Sequence, residues 1–170
     1  MELERLAEIV DDMIVQHDYP GFEPRALKLG LPEEVLHMHT KTFANALGHS
    51  SIYVRLAALR WFQERPGMAK SYIGAIVGLL DHEDEYIRIE ASRTLERFQT
   101  VTGDTLLRIA KLLKDERPNV RKAAAKSLGK LGSRMKQKDG AIIEALQAAS
   151  TDADPEVRMK VLKAVRLIES

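Results

Sequence analysis

Apolar residues recur along this chain in steps of three and four, and the pattern itself returns after a longer interval. An apolar-arginine pair stands at Val54-Arg55, Ile87-Arg88, Val120-Arg121 and Val157-Arg158, with separations of 33, 33 and 37 between the arginines. Three residues past each arginine lie Ala58, Ala91, Ala124 and Val161; seven past lie Phe62, Leu95, Leu128 and Val165. Offsets of −1, +3 and +7 trace one stripe on a helix, so each arginine sits beside a buried face. Twelve residues before the arginines come Phe43, Ile76, Ile109 and Leu146, and eight before come Leu47, Leu80, Leu113 and Ser150. The register therefore runs through a second helix in each repeat, and a period of this length means stacked helix pairs.

Capping chemistry agrees with the period. Four residues before each arginine stand Ser51, Asp84, Arg117 and Asp154, three of them good N-caps, and Pro118 and Pro155 fall at a first helical position. The pattern predicts helices near 2–17, 33–47, 51–64, 69–80, 85–99, 104–114, 118–131, 139–149 and 155–168, with breaks at Tyr19-Pro20-Gly21, Arg65-Pro66-Gly67, Thr100 to Gly103 and Gly132 to Lys138. Residues 1–32 read as an N-terminal capping helix and its connection. Repeats follow at 33–65, 66–99, 100–132 and 133–170. The first helix has Leu3, Leu6, Ile9, Val10, Met13 and Ile14 on one face and Glu2, Glu4, Glu8, Asp11 and Asp12 on the other. Isolated helices of about a dozen residues are marginal in water, so each pair must bury its stripe against the next, and one cooperative domain is expected.

The segments Asp115-Glu-Arg-Pro-Asn-Val-Arg-Lys-Ala-Ala-Ala-Lys-Ser-Leu-Gly129 and Asp152-Ala-Asp-Pro-Glu-Val-Arg158 resemble HEAT repeats, in particular the short type of phycobilisome-lyase-like proteins. The resemblance covers residues 33–170. It departs most in the first repeat, where His49 stands at a turn position at which the family usually has Asp. It implies an all-α fold, a right-handed α-solenoid of about four HEAT-like helix pairs with an N-terminal capping helix. Function is less constrained, because the family spans scaffolds, adaptors, lyase subunits and a few enzymes.

Composition narrows the classes further. The 170 residues contain no cysteine, which removes disulfides, thiolate metal sites and cysteine nucleophiles and suits a reducing cytoplasmic setting. The longest nearly uncharged apolar stretch, Ser71 to Leu80, is too short for a membrane span, and no secretory signal is visible at the Glu-rich start. Net charge is +1 but unevenly spread: residues 1–50 hold 4 Lys/Arg against 9 Asp/Glu, whereas residues 101–170 hold 15 against 9. Such polarity suits either a positive surface for an acidic partner or head-to-tail self-association of the chain.

Catalytic constellations are thin, and no catalytic residue, metal site or cofactor is expected. His37 and His39, two apart, point to opposite faces if they share a helix and so cannot share a metal there. His82 lies in the acidic turn Asp81-His-Glu-Asp-Glu85, whose ligand spacing is not that of a calcium loop. Deoxyhypusine hydroxylases, a related helical-repeat enzyme family, carry His-Glu pairs as iron ligands. The matching positions here are Leu56-Ala57, Ile89-Glu90, Lys122-Ala123 and Met159-Lys160, which rejects that activity. Gly129-Lys130-Leu131-Gly132 ends a helix instead of opening one and is no phosphate loop.

Two rows of side chains remain. Arg55, Arg88, Arg121 and Arg158 are expected to be structural, each reaching a turn carboxylate or carbonyl of an adjacent repeat, such as Asp81, Asp115 or Asp152. The opposite face of each second helix is expected at +1, +5 and +8. At +5 stand Arg60, Arg93, Lys126 and Lys163, basic in every repeat; at +1 stand Leu56, Ile89, Lys122 and Met159; at +8 stand Gln63, Glu96, Gly129 and Arg166. A basic row beside a largely apolar one suits an acidic, partly apolar segment of a protein partner, which makes a non-enzymatic scaffold or adaptor the leading reading. Two alternatives stand beside it. The basic C-terminal half suits nucleic acid, and the resemblance allows a lyase-type subunit that handles a tetrapyrrole on a partner.

Overall fold

In a computed structural model the described residues are 1–16, 35, 37–135 and 140–170, and all their regular structure is helical. The long connection expected at Tyr19 to Pro32 lies outside the described residues. The chain divides into two compact units, Met1–Ala75 and Ile76–Ser170.

The first unit holds α1 (Glu2–Gln16), α2 (Thr40–Ala46) and α3 (Ile52–Glu64), followed by a 3₁₀ segment over Pro66–Tyr72. Leu6 and Val10 of α1 are buried, and the helix packs on α2 and α3. Thr42 Oγ1 donates to the Glu2 carboxylate at 2.5 Å, tying the start of α1 to the second helix. Phe43 stacks on Trp61 with centroids 4.4 Å apart, and Phe62 meets Trp61 edge-on at 5.2 Å. The offsets of Phe43 and Phe62, −12 and +7 from Arg55, are where the periodic pattern places core. Of the helix expected over 33–47, residues 33, 34 and 36 lie outside the described residues, Val35 is helical, and the chain breaks at residues 37–39, where His39 is extended as the N-cap of α2. His37 and His39 therefore precede α2.

α4 (Ile73–Gly78) carries the chain into the second unit, which contains α5 (Glu85–Leu95), α6 (Gly103–Lys111), α7 (Pro118–Gly132), α8 (Gly140–Ala148) and α9 (Pro155–Glu169). α7 packs between α5 and α9, while α6 and α8 form the adjoining layer of first helices. Ile87, Ala91, Leu95, Val120, Ala124, Leu128, Val157 and Val161 are all buried, as the −1, +3, +7 stripe requires; Val165 is only half-buried. Asp84 caps α5 by accepting from Tyr86 N at 2.9 Å and Ile87 N at 3.1 Å, and Asp154 caps α9 in the same way. Ser51 makes no such side-chain bond; its own N–H donates to His49 Nδ1 at 3.1 Å. α5 ends four residues before the expected 99, where Arg134 Nη1 donates to the carbonyls of Glu96 and Phe98 at 2.8 and 3.1 Å. A cation on the last carbonyls satisfies the groups a helix end leaves open.

Each first helix of the second unit closes on the same device. Its last turn tightens to 3₁₀ geometry at Leu79–Asp81, Leu112–Lys114 and Ala149–Thr151, and the next residue donates its N–H back three positions. That next residue, six before the repeat arginine, is His82, Asp115 or Asp152, and in the first unit His49. Its side chain then accepts the N–H two residues on: His49 Nδ1 from Ser51, His82 Nδ1 from Asp84, Asp115 Oδ1 from Arg117 and Asp152 Oδ1 from Asp154, at 2.9 to 3.1 Å. Imidazole thus replaces carboxylate as the turn acceptor at His49 and His82.

Candidate functional site

Of the four repeat arginines, Arg88 and Arg121 bridge to the following turn as expected, whereas Arg55 donates to the His49 carbonyl and Arg158 to the Asp152 and Ala153 carbonyls of their own turns. Arg88 Nη1 donates to the carbonyls of His82 and Glu83 in its own turn, while Nε and Nη2 clasp Asp115 of the following turn at 2.8 and 2.9 Å. Arg121 repeats the arrangement with Asp115 and Glu116 carbonyls on one side and Asp152 at 2.7 and 2.9 Å on the other. Two parallel charge-assisted bonds per pair fix both distance and orientation between layers. The hydrogen bonds from Arg121 hold the Asp152 carboxyl below its ordinary value against the opposing effect of burial. Asp81 does not serve the ladder; Arg108 of α6 takes it as an ion pair, because Asp81 lies one residue before the turn position.

The +5 row is exposed throughout. Arg60 stands on α3 of the first unit; Arg93, Lys126 and Lys163 stand on α5, α7 and α9, consecutive second helices of the second unit. Their carboxylate neighbours are local: Glu64 lies 3.7 Å from Arg60, Glu90 2.5 Å from Arg93 and Glu96 3.8 Å from Lys126. Glu96 is only 3% exposed and lies beneath the ridge, where Lys130 Nζ donates to it at 2.8 Å and Ser127 Oγ at 3.3 Å.

The +1 and +8 rows are not where the helix wheel places them. Leu56 and Ile89 are each 5% exposed, so neither presents an apolar surface. Lys122 is partly covered and bonds Glu156 of α9 at 2.5 Å; Met159 alone of the row is exposed. At +8, Gln63, Glu96 and Gly129 are buried. The wheel assumes one buried stripe with its opposite face in solvent. A second helix such as α7 instead touches its own first helix and a second helix on each side, so burial spreads round most of its circumference. What stays open is the arc through +5 and +9. At +9 stand Glu64, Arg97, Lys130 and Leu167; Arg97 and the half-exposed Lys130, which sequence reasoning missed, extend the basic row in the second unit, four residues past it.

Among the described residues no group of three or more His, Cys, Asp or Glu side chains is placed to hold a metal ion, and no helix is long and apolar enough to cross a membrane. Comparison with protein families matches HEAT repeats over residues 76–138 and 109–170. The chain belongs to the HEAT-repeat family. Its HEAT repeats have similar folds among solved structures of engineered proteins. One is 21% identical, with a TM-score of 0.59 over 76% of this chain and 62% of the other. A second is 20% identical, with a TM-score of 0.60 over 76% and 63%. A designed armadillo repeat protein in complex with the peptide (KR)4 is 16% identical, with a TM-score of 0.54 over 76% and 64%. This HEAT-repeat chain thus spans less than two thirds of the length of each of them. No curated protein matches its sequence. These likenesses establish an α-solenoid fold.

Proposed function

We propose that this chain is a non-enzymatic protein-interaction scaffold that holds an acidic segment of a partner protein along the second-helix ridge of its second unit. The observation that carries the reading is the row Arg93, Lys126 and Lys163: exposed cations at one repeat offset on three successive helices, flanked by Arg97 and Lys130. Packed helices lie roughly 8–10 Å apart and an extended chain rises about 3.3 Å per residue, so a ligand with a carboxylate at about every third position would meet one cation per repeat. Exposed pairs such as Arg93 with Glu90 are worth little and exchange readily for a ligand carboxylate. The designed armadillo repeat protein of similar fold is in complex with a peptide of Lys and Arg; a basic ridge calls for the opposite charge. With Leu56 and Ile89 buried, the apolar component is reduced to Met159, and electrostatic attraction dominates.

Anisotropy of a labelled peptide with Glu at every third position tests this. Arg93→Glu with Lys126→Glu should weaken binding at least tenfold while thermal melting stays within a degree or two. Equal binding by the double variant would remove the ridge. Tighter binding of a single-stranded oligonucleotide, falling steeply with salt, would replace the protein partner by nucleic acid.

A further inference from the structure

Four cations converge on one buried carboxylate at the seam between α5 and α7. Lys130 Nζ lies 2.8 Å and Lys126 Nζ 3.8 Å from the same oxygen of Glu96. Arg134, just past the end of α7, donates from Nη1 to the carbonyls of Glu96 and Phe98 at 2.8 and 3.1 Å. Those two carbonyls flank Arg97, whose exposed side chain has no hydrogen bond or ion pair among the described residues. Lys126, Lys130 and Arg134 follow one another at intervals of four, so the cluster continues the ridge along α7.

Arg134 has donors to spare. Its Nη1 is anchored on two carbonyls, as those of Arg88 and Arg121 are in their own turns. In Arg88 and Arg121 the remaining edge, Nε and Nη2, clasps the carboxylate of Asp115 or Asp152. On Arg134 that edge is exposed and has no partner among the described residues. A guanidinium fixed in this way keeps a planar pair of donors pre-organised for two oxygens of one anion.

The excess of positive charge is local, and its size points to the group it fits. Offsets +9 and +13 hold Lys130 and Arg134 on α7 but Arg97 and Val101 in the preceding repeat, and the +9 position of α9 is Leu167. A nucleic-acid backbone is held by cations spread along its length, whereas these gather at one seam. A ligand glutamate brings one charge and two oxygens. A phosphate monoester brings about −1.5 to −2 and three strong acceptor oxygens, enough for the Arg134 fork, Arg97 and Lys130 together.

We propose that the acidic partner segment carries a phosphorylated serine or threonine whose phosphate seats among Arg97, Lys130 and Arg134, so that phosphorylation of the partner controls its hold on the scaffold. This rests on the ridge reading above, since it specifies one residue of the same ligand. Four residues advance a helix by about 6 Å, which places Lys130 within the combined reach of its own side chain and a phosphoserine on a ligand lying over Lys126.

The test compares two labelled peptides with Glu at every third position, one with a further Glu at its centre and one with phosphoserine there. The phosphoserine form should bind at least tenfold more tightly. Arg97→Gln, which breaks no bond of the fold, and Arg134→Gln should each cut that preference to about threefold or less, with a smaller change for the all-Glu form. Equal binding of the two peptides, or a preference that survives both substitutions, would overturn the inference and leave the ridge in place. Binding of neither peptide would remove both readings. Binding of the phosphoserine form alone, lost in Arg97→Gln, would support the cluster while rejecting attraction by the ridge without it. A single-stranded oligonucleotide that bound more tightly than the phosphoserine peptide and lost as much with Arg97→Gln would assign the cluster to nucleic-acid phosphates instead.

Discussion

Gly129 of α7 lies against Ala164 of α9 so closely that a β-carbon on the glycine would fall 2.8 Å from the alanine Cα and 2.9 Å from its Cβ. Both obstacles are anchored to backbone, so the two helices would have to move apart. In an exposed helix interior, Gly→Ala stabilises by about 1 kcal/mol. Here the overpacking should reverse the sign, and Gly129→Ala should destabilise by about 1–3 kcal/mol in urea unfolding. Gly132→Ala is the control. Its β-carbon would come closest to the Cδ1 and Cγ1 of Ile168, at 2.8 and 2.9 Å, and that side chain can rotate away. It should lose markedly less; equal losses would mean that the α7 to α9 contact is not as tight as described.

Ile89 and Arg93 stand four residues apart on α5, one buried and one exposed. Ile89→Ser should cost about 2–4 kcal/mol, because it removes buried apolar volume and adds a hydroxyl. Arg93→Ala should stay within about 0.5 kcal/mol, as surface changes do. Chemical denaturation of the two variants checks the face assignment directly. A neutral Ile89→Ser would restore the +1 row to the surface.

Ala91 and Ala124 occupy the +3 offset and are fully buried. Aspartate there would carry an unpaired charge into the contact between helices at a cost of several kcal/mol, enough to unfold much of a marginally stable array. Circular dichroism should show Ala91→Asp and Ala124→Asp melting far below the unsubstituted chain; unchanged melting in both would mean the stripe has been drawn on the wrong face.

The elements of the fold are legible in the sequence because one offset pattern governs every repeat, so Val54, Ile87, Val120 and Val157 agree on the register. The arginine ladder is legible for the same reason, down to Asp115 and Asp152. The exposed face is read less well. Periodicity identifies a stripe that is always apolar, but Ile89, Ser92 and Glu96 are buried with quite different chemistry, and no repeat average reveals that Glu96 goes inside to meet Lys130 and Ser127. Lateral stacking, which buries +1 and +8, depends on a neighbouring helix that the wheel of a single helix does not contain. The break at residues 37–39 is missed from sequence because the buried apolar positions Val35 and Phe43 lie on either side of it and read as one continuous pattern.

Asp152 supplies the test of the ladder by pH. Its carboxyl is held below the ordinary value chiefly by the hydrogen bonds from Arg121, with help from the Asp154 N–H and nearby cations, and against the opposing effect of burial. An unfolded chain releases that constraint and titrates near about 3.9. Between the two values the unfolded state binds more protons than the folded one, so the contribution of the pair is complete above about pH 4–5 and is lost as pH falls through the folded value. Asp152→Asn keeps the shape but offers only one acceptor oxygen and no charge. It should cost about 2 kcal/mol at pH 7, the order expected for charge-assisted hydrogen bonds. The gap between the two proteins should then narrow steadily on acidification below about pH 4, because protonation deprives the unsubstituted chain of the same interaction. Urea unfolding from about pH 7 down to about pH 3 follows this directly. A difference that stayed constant across that range would mean that the substitution acts through turn geometry, by weakening the acceptor for the Asp154 N–H, and that the ion pair with Arg121 contributes little to holding the layers together.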